Sequence, residues 1–246
     1  MTTRALTVIA HRGASSYAPE NTLAAFDLAL QMGVHHIELD LHSTRDGHIV
    51  VLHDETVDRT TDGSGPVSSF TLAALRQLDA GSWFGAPFAG QRIPTFDEVL
   101  ERYRGRLHVH AEIKGRSPSV SHLTADRIHA RGMKEQVTIT SFESVRLEEI
   151  RACAPELPTG WLVEEVTDAT IARARALGLA QICPRADTVT QELVRRLHAE
   201  GLVARAWGVA SEELMQQVVE AGADGMTVNF PDRLIAYLQE HGYGWE

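Results

Sequence analysis

Eight short runs rich in β-branched residues, each followed by a helical pattern, predict a closed (β/α)8 TIM barrel. No low-complexity tract or Pro/Ser-rich linker divides the 246 residues, so one domain over 1–246 is expected. An open doubly wound sheet would use the same alternation, but eight units favour closure. The alternation breaks once, at a pair of strands joined by a tight turn.

The first strand, Leu6–Ala10, runs into His11, Arg12 and Gly13. A helix over Asn21–Met32 should end at Gly33, which suits a left-handed cap. In the second strand, His36–Leu41, residues Ile37, Leu39 and Leu41 share one face, and Glu38, Asp40 and His42 the other. Asp46-Gly47 signals a two-residue type I′ hairpin, which sets Arg45 against His48 and Asp40 against His53. Ile49–His53 is then an antiparallel return arm and not a barrel strand. A Gly-rich insertion follows, about 55–93, with a short helix over Leu72–Leu78 and the aromatics Trp83, Phe84 and Phe88. Loops of that length are uncommon unless functional or disordered, and on a barrel this one would cap the mouth.

After a helix over Thr95–Arg104 come six further units. Their strands are His108–Ile113, Val137–Thr140, Thr159–Val163, Gln181–Pro184, Val203–Trp207 and Gly225–Val228. Their helices are Val120–Arg131, Glu143–Cys153, Asp168–Leu177, Gln191–Glu200, Glu212–Ala221 and Asp232–Glu240. Ser141 and Ser211 are expected N-caps, and Gly222 a second left-handed cap.

At 43% hydrophobic residues the chain can bury a sizeable core. No run approaches the roughly 20 apolar residues of a membrane-spanning helix, and MTTRALTVIAHRG is too short a run for a secretory signal. A cytoplasmic protein without a stable membrane anchor is expected. Cys153 and Cys183 form no C-x-x-C pair and read as small core residues. The net charge of −10 argues against nucleic-acid binding, so an anionic substrate must be drawn in locally. Oligomeric state is not legible.

Active sites of such barrels lie at the carboxyl ends of the strands. There the sequence places His11 and Arg12, then Glu38 and Asp40, then His53 and Asp54 on the return arm. In LHVHAEIKG, residues His108, His110, Glu112 and Lys114 share one face, which should point inward. Carboxylates from Glu38, Asp40 and Glu112 could converge there, and their repulsion calls for a cation. One hard divalent ion, Mg2+ or Ca2+ with Mn2+ possible, suits oxygen ligands better than zinc does. A solvent-facing charged stripe explains Glu38 and Asp40 less well once Glu112 and Lys114 are counted.

HRG at 11–13, ENT at 20–22, ELD at 38–40, LHD at 52–54, DRTTDGSG at 58–65, LDAGSWFG at 78–85, IPTFDEVL at 93–100 and EIK at 112–114 stand in order. Each is weak alone, but the set resembles the glycerophosphodiester phosphodiesterase family over essentially the whole chain. The resemblance implies acid/base roles for His11 and His53, and metal ligation by Glu38, Asp40 and Glu112. It also implies phosphate contacts from Arg12 and Lys114. Trp207 is either core or an apolar wall for the substrate's glycerol end. The implied reaction is metal-dependent hydrolysis of a small phosphodiester to an alcohol and sn-glycerol 3-phosphate through a cyclic phosphate. Lysophospholipid cleavage of the lysophospholipase D type and a non-catalytic phosphate-binding barrel are the rivals. The chain departs from the family pattern at His42, His110, Ala210 and in VNFP at 228–231.

Overall fold

The computed structural model describes residues 5–246. Eight parallel strands form the barrel: β1 (Thr7–His11), β2 (His36–Ser43), β4 (His108–Ile113), β5 (Val137–Ser141), β6 (Thr159–Val163), β7 (Gln181–Pro184), β8 (Val203–Val209) and β9 (Gly225–Val228). Pairing of β1 with both β9 and β2 closes it. Around it lie α1 (Leu23–Gln31), α3 (Phe96–Tyr103), α4 (Val120–Ala130), α5 (Ser144–Cys153), α6 (Asp168–Ala176), α7 (Gln191–Ala199), α8 (Glu212–Glu220) and α9 (Pro231–Glu240). The main core lies between sheet and helices: Ile37, Leu39 and Leu41 are fully buried in one cluster with Phe26, Phe96 and Leu100. The alternate residues of β2, β4 and β5 turn inward, so Glu38, Asp40, His110, Glu112, Thr138 and Thr140 are buried on the other face. Register sets Glu38 beside His110 and Asp40 beside Glu112.

The return arm, β3 (Ile49–Val51), pairs antiparallel with β2 as expected, but the register differs by one residue. His42 faces Val50, and the Thr44 amide donates to the His48 carbonyl at 2.9 Å. The loop is therefore three residues long, Arg45 to Gly47, with positive φ only at Gly47. Side chains select it: Thr44 Oγ1 accepts from the His48 amide at 3.0 Å and donates to Asp46 Oδ1 at 2.7 Å. Asp46 in turn accepts from the Leu72 amide at 3.0 Å, which ties the hairpin to α2 (Leu72–Leu75). Leu52, not His53, stands opposite Asp40, and its amide donates to the Asp40 carbonyl at 3.0 Å. His53 falls past the strand end, in a bend.

The insertion builds its own small core from Val57, Val67, Leu75, Ala80 and Ile93 against Val50 and Leu52 of the return arm. Phe84 packs edge-to-face on both Trp83 and Phe88. Gly33 and Gly222 take the left-handed conformation and Ser211 caps α8, as expected. Ser141 does not cap α5: its hydroxyl donates to the Ile113 carbonyl at 2.9 Å and ties β5 to β4. Among the described residues no helix is long and apolar enough to cross a membrane.

Candidate active site

A tight turn after β1 sets the first side chains. Arg12 and Asn21, neither of them glycine, both hold positive φ, and the Asn21 amide donates to the Arg12 carbonyl at 3.0 Å. Such backbone strain concentrates at functional sites. Gly13 is required here: its φ is +82°, and a Cβ would lie 2.6 Å from the Ala25 carbonyl carbon of α1. The turn aims the Arg12 amide at Glu38 Oε2, 3.1 Å away, and its Nη1 at Glu20, 3.0 Å away. Asn21 Nδ2 donates to Asp40 Oδ2 at 2.8 Å.

A cavity of about 190 Å3 opens at the carboxyl ends of the strands. His11, Arg12, Glu38, His53, Glu112, Lys114 and Trp207 all line it, together with Phe142, Leu162, Arg205, Gly208 and Thr227. Asp40 is buried behind them. One oxygen each from Glu38, Asp40 and Glu112 lies within 4.8 Å of the other two, close enough to hold one ion. Burial, then repulsion from Asp40 and Glu112, pushes the Glu38 carboxyl well above the usual range. Burial and Asp40 likewise push Glu112 up to about 7, even though Lys114 Nζ sits 3.0 Å from it. Burial also acts to raise Asp40, but Arg12 and Lys114 outweigh it and hold that carboxyl below the usual range. Asp40 Oδ1 is buried with no hydrogen-bond donor. Two carboxyls pushed towards their neutral forms, beside an Asp40 oxygen answered only by Lys114 Nζ at 3.7 Å, fit a divalent cation, which would offset the crowded charge.

The two histidines have unlike partners. His11 Nδ1 lies 2.6 Å from Asn229 Oδ1, which can only accept, so Nδ1 carries the proton and Nε2 the lone pair. Burial, aided by the Arg12 charge, lowers His11 to about 4, so it is neutral at physiological pH. His53 Nδ1 donates to Asp54 Oδ1 at 2.6 Å. Asp54 is held near 2, chiefly by the Arg59 hydrogen bond, and is a full carboxylate. The two imidazole side chains are 31% and 29% exposed, open enough to meet a ligand. On the far wall Phe142 meets Trp207 edge-on, ring centroids 4.8 Å apart, and Lys114 Nζ lies 5.8 Å from the Phe142 ring. Trp207 Nε1 is anchored on the Val163 carbonyl at 3.1 Å.

A model of the glycerophosphoryl diester phosphodiesterase family matches residues 11–233, which include every one of these side chains. The chain belongs to that family. As a member it is a phosphoric diester hydrolase. It is 38% identical to a glycerophosphodiester phosphodiesterase of Caldanaerobacter subterraneus subsp. tengcongensis, over 96% of this chain and 98% of that one. A Bacillus subtilis glycerophosphodiester phosphodiesterase is 35% identical, over 93% and 85%. Among solved structures, an Oleispira antarctica phosphodiesterase in complex with the product sn-glycerol-3-phosphate superposes with a TM-score of 0.90. It is 29% identical, over 95% of this chain and 96% of that one. An Agrobacterium tumefaciens glycerophosphodiester phosphodiesterase gives a TM-score of 0.83 at 30% identity, over 94% and 99%.

Several residues of this family member's site were not singled out from sequence. Asn229 is the His11 partner, and it follows the last barrel strand. Glu20 accepts from Arg12 and, at 2.8 and 2.9 Å, from Arg59, joining the first loop to the insertion. Arg205 lines the cavity, and its charge acts on Glu38. His42 lies outside the central cavity, where its Nε2 donates to the His53 carbonyl at 3.1 Å and fixes the bend. His110 lies below the carboxylates beside His36 and His108. The insertion lines none of the central cavity and reaches the site through Arg59.

Proposed function

We propose that the protein hydrolyses glycerophosphodiesters to an alcohol and sn-glycerol 3-phosphate through a cyclic phosphate. The observation that carries this reading is the pair of histidines with unlike partners on one cavity. A bound sn-glycerol-3-phosphate in a structural relative supports the same substrate class. His11, neutral with its Nε2 lone pair free, takes the proton of the glycerol hydroxyl next to the phosphate. That oxygen attacks phosphorus and the P–O bond to the alcohol breaks. His53, with a carboxylate behind it to steady the imidazolium, donates its Nε2 proton to the departing oxygen. The roles then reverse: His53 deprotonates water, water opens the ring, and His11 returns its proton to the glycerol oxygen. Arg12 and Lys114 hold phosphate oxygens and offset the charge that gathers there. Trp207 and Phe142 form an apolar wall for the carbon skeleton. Glu38, Asp40 and Glu112 would hold one divalent cation, supplying Lewis-acid stabilisation of phosphate charge when bound. The barrel with its insertion is the whole catalytic unit, acting in the cytoplasm on a small soluble diester.

The test is release of sn-glycerol 3-phosphate from glycerophosphocholine by chelator-stripped protein, with Mg2+, Ca2+ or Mn2+ restored singly. Activity should return with one or more of these ions and be lost in both His11→Ala and His53→Ala. Faster turnover of lysophosphatidylcholine would move the substrate to lysolipids. An equal background in all three proteins on both substrates would leave a phosphate-binding barrel.

A further inference from the structure

A second set of donor side chains converges at the amino end of the barrel, away from the catalytic mouth. His36 opens β2 and His108 opens β4, and the two stand side by side in register. Their rings stack with centroids 5.0 Å apart. His110, one inward step along β4, brings its ring within 5.5 Å of His36 and 5.0 Å of His108. One ring nitrogen from each of the three falls in a group with no separation above 4.8 Å.

Two details distinguish this group from stacked aromatic filling. His36 Nδ1 and His110 Nε2 are 3.3 Å apart, a hydrogen bond when one of them carries the proton and a pair of free donors when neither does. Two imidazoles on one tetrahedral ion, each about 2.0–2.1 Å from it, have nitrogens about 3.3–3.4 Å apart. His110 is only 4% exposed, and with no acceptor beside its Nδ1 no protein group fixes its tautomer, so Nε2, the nitrogen facing His36, can turn its lone pair to an ion. His108 Nε2 is engaged by Thr138 Oγ1 at 2.9 Å, which fixes the ring and leaves Nδ1 as its donor. The Glu246 carboxylate, which accepts from Thr7 Oγ1 at 3.2 Å, is close enough to act on His108.

We propose that His36, His108 and His110 bind a second metal ion, a transition metal of the zinc class, independently of the carboxylate cage. Imidazole donors select Zn2+, Co2+, Ni2+ or Cu2+, whereas the cage of oxygens above takes a hard ion. The ion clamps β2 to β4 below the rungs that set Glu38 beside His110 and Asp40 beside Glu112. The site goes beyond the reaction proposed above and does not depend on it.

Binding is tested on the full chain, chelator-stripped, in a Glu38→Gln/Glu112→Gln background that removes the competing cage. Titration with Co2+ should give one equivalent with visible ligand-field bands, displaced by Zn2+ and indifferent to millimolar Mg2+. Adding His108→Asn, or His36→Ala, should weaken binding by at least about 100-fold. Unchanged affinity in both histidine variants, or no Co2+ bound by the cage-deleted protein, overturns the proposal. Should those variants fail to fold, X-ray absorption on zinc-loaded wild-type protein in excess Mg2+ decides the matter. A shell of three imidazoles at about 2.0–2.1 Å supports the site, and a shell with two or fewer refutes it.

Discussion

Divalent-cation binding at the carboxylate cage should weaken as the pH falls from 8 to 6, because protons compete for the same oxygens. Glu112, pushed up to about 7 by burial and by Asp40, must lose its proton before it can ligate. With that value its ionised fraction falls from about nine-tenths at pH 8 to about one-tenth at pH 6. The loss is about tenfold in affinity, or about 1.4 kcal/mol. Glu38 is displaced in the same direction and steepens the slope. Calorimetric titration at pH 6, 7 and 8, in two buffers of unlike ionisation enthalpy, reads both the affinity and the proton released. A dissociation constant that stays flat over this range, with no proton released, would refute the account of three crowded carboxylates. Thermal stability is a less direct readout, and the signs show why. An acid raised in the fold costs stability as pH climbs from 4.5 through 7. Histidines lowered by burial, such as His11, His36 and His108 at about 4, gain stability as pH climbs from 4 to 6.5. The two trends overlap, and the difference between wild type and Glu112→Gln isolates the first. In metal-free protein that difference should favour the variant more at pH 8 than at pH 5.

Two further substitutions address the histidines. Asn229→Asp places a carboxylate against His11 Nδ1, where the amide oxygen now sits at 2.6 Å, and should raise His11 from about 4 by about 1–3 units. The acid limb of kcat/KM should move up with it, and a limb that stays put argues against His11 as the base. Asp54→Asn keeps the shape but removes the charge behind His53, so kcat should fall by about 10²–10⁴-fold with a smaller change in KM. Wild-type turnover in that variant would show that His53 needs no anionic partner.

The barrel was legible because its signals are local. Period-two alternation in β2 and β4, glycines at helix ends and hydroxyl caps each act within a few residues, and they set strands such as His108–Ile113 and Thr159–Val163 to the residue. The same alternation placed Glu38, Asp40, Glu112 and Lys114 on inward faces. The hairpin register was missed because Asp46-Gly47 was weighed without Thr44, whose hydroxyl rewards the longer loop. Asn229, 218 residues from His11, carries no local signal, and neither does the bridge from Arg59 to Glu20. Contacts of that kind are set by barrel closure and by where the insertion folds back. Only the motif blocks ENT and DRTTDGSG marked the neighbourhood.

The polar inner faces of β2, β4 and β5 separate the duties of the two sides of the sheet. Apolar contact with the helices packs the outer face of the strands, while the bore carries the acids, imidazoles and hydroxyls that can meet a ligand or an ion. Side chains within the bore can therefore be exchanged while the scaffold that aims them stays the same. A change of chemistry along this axis requires no new fold, only a new set of residues on rungs that already exist.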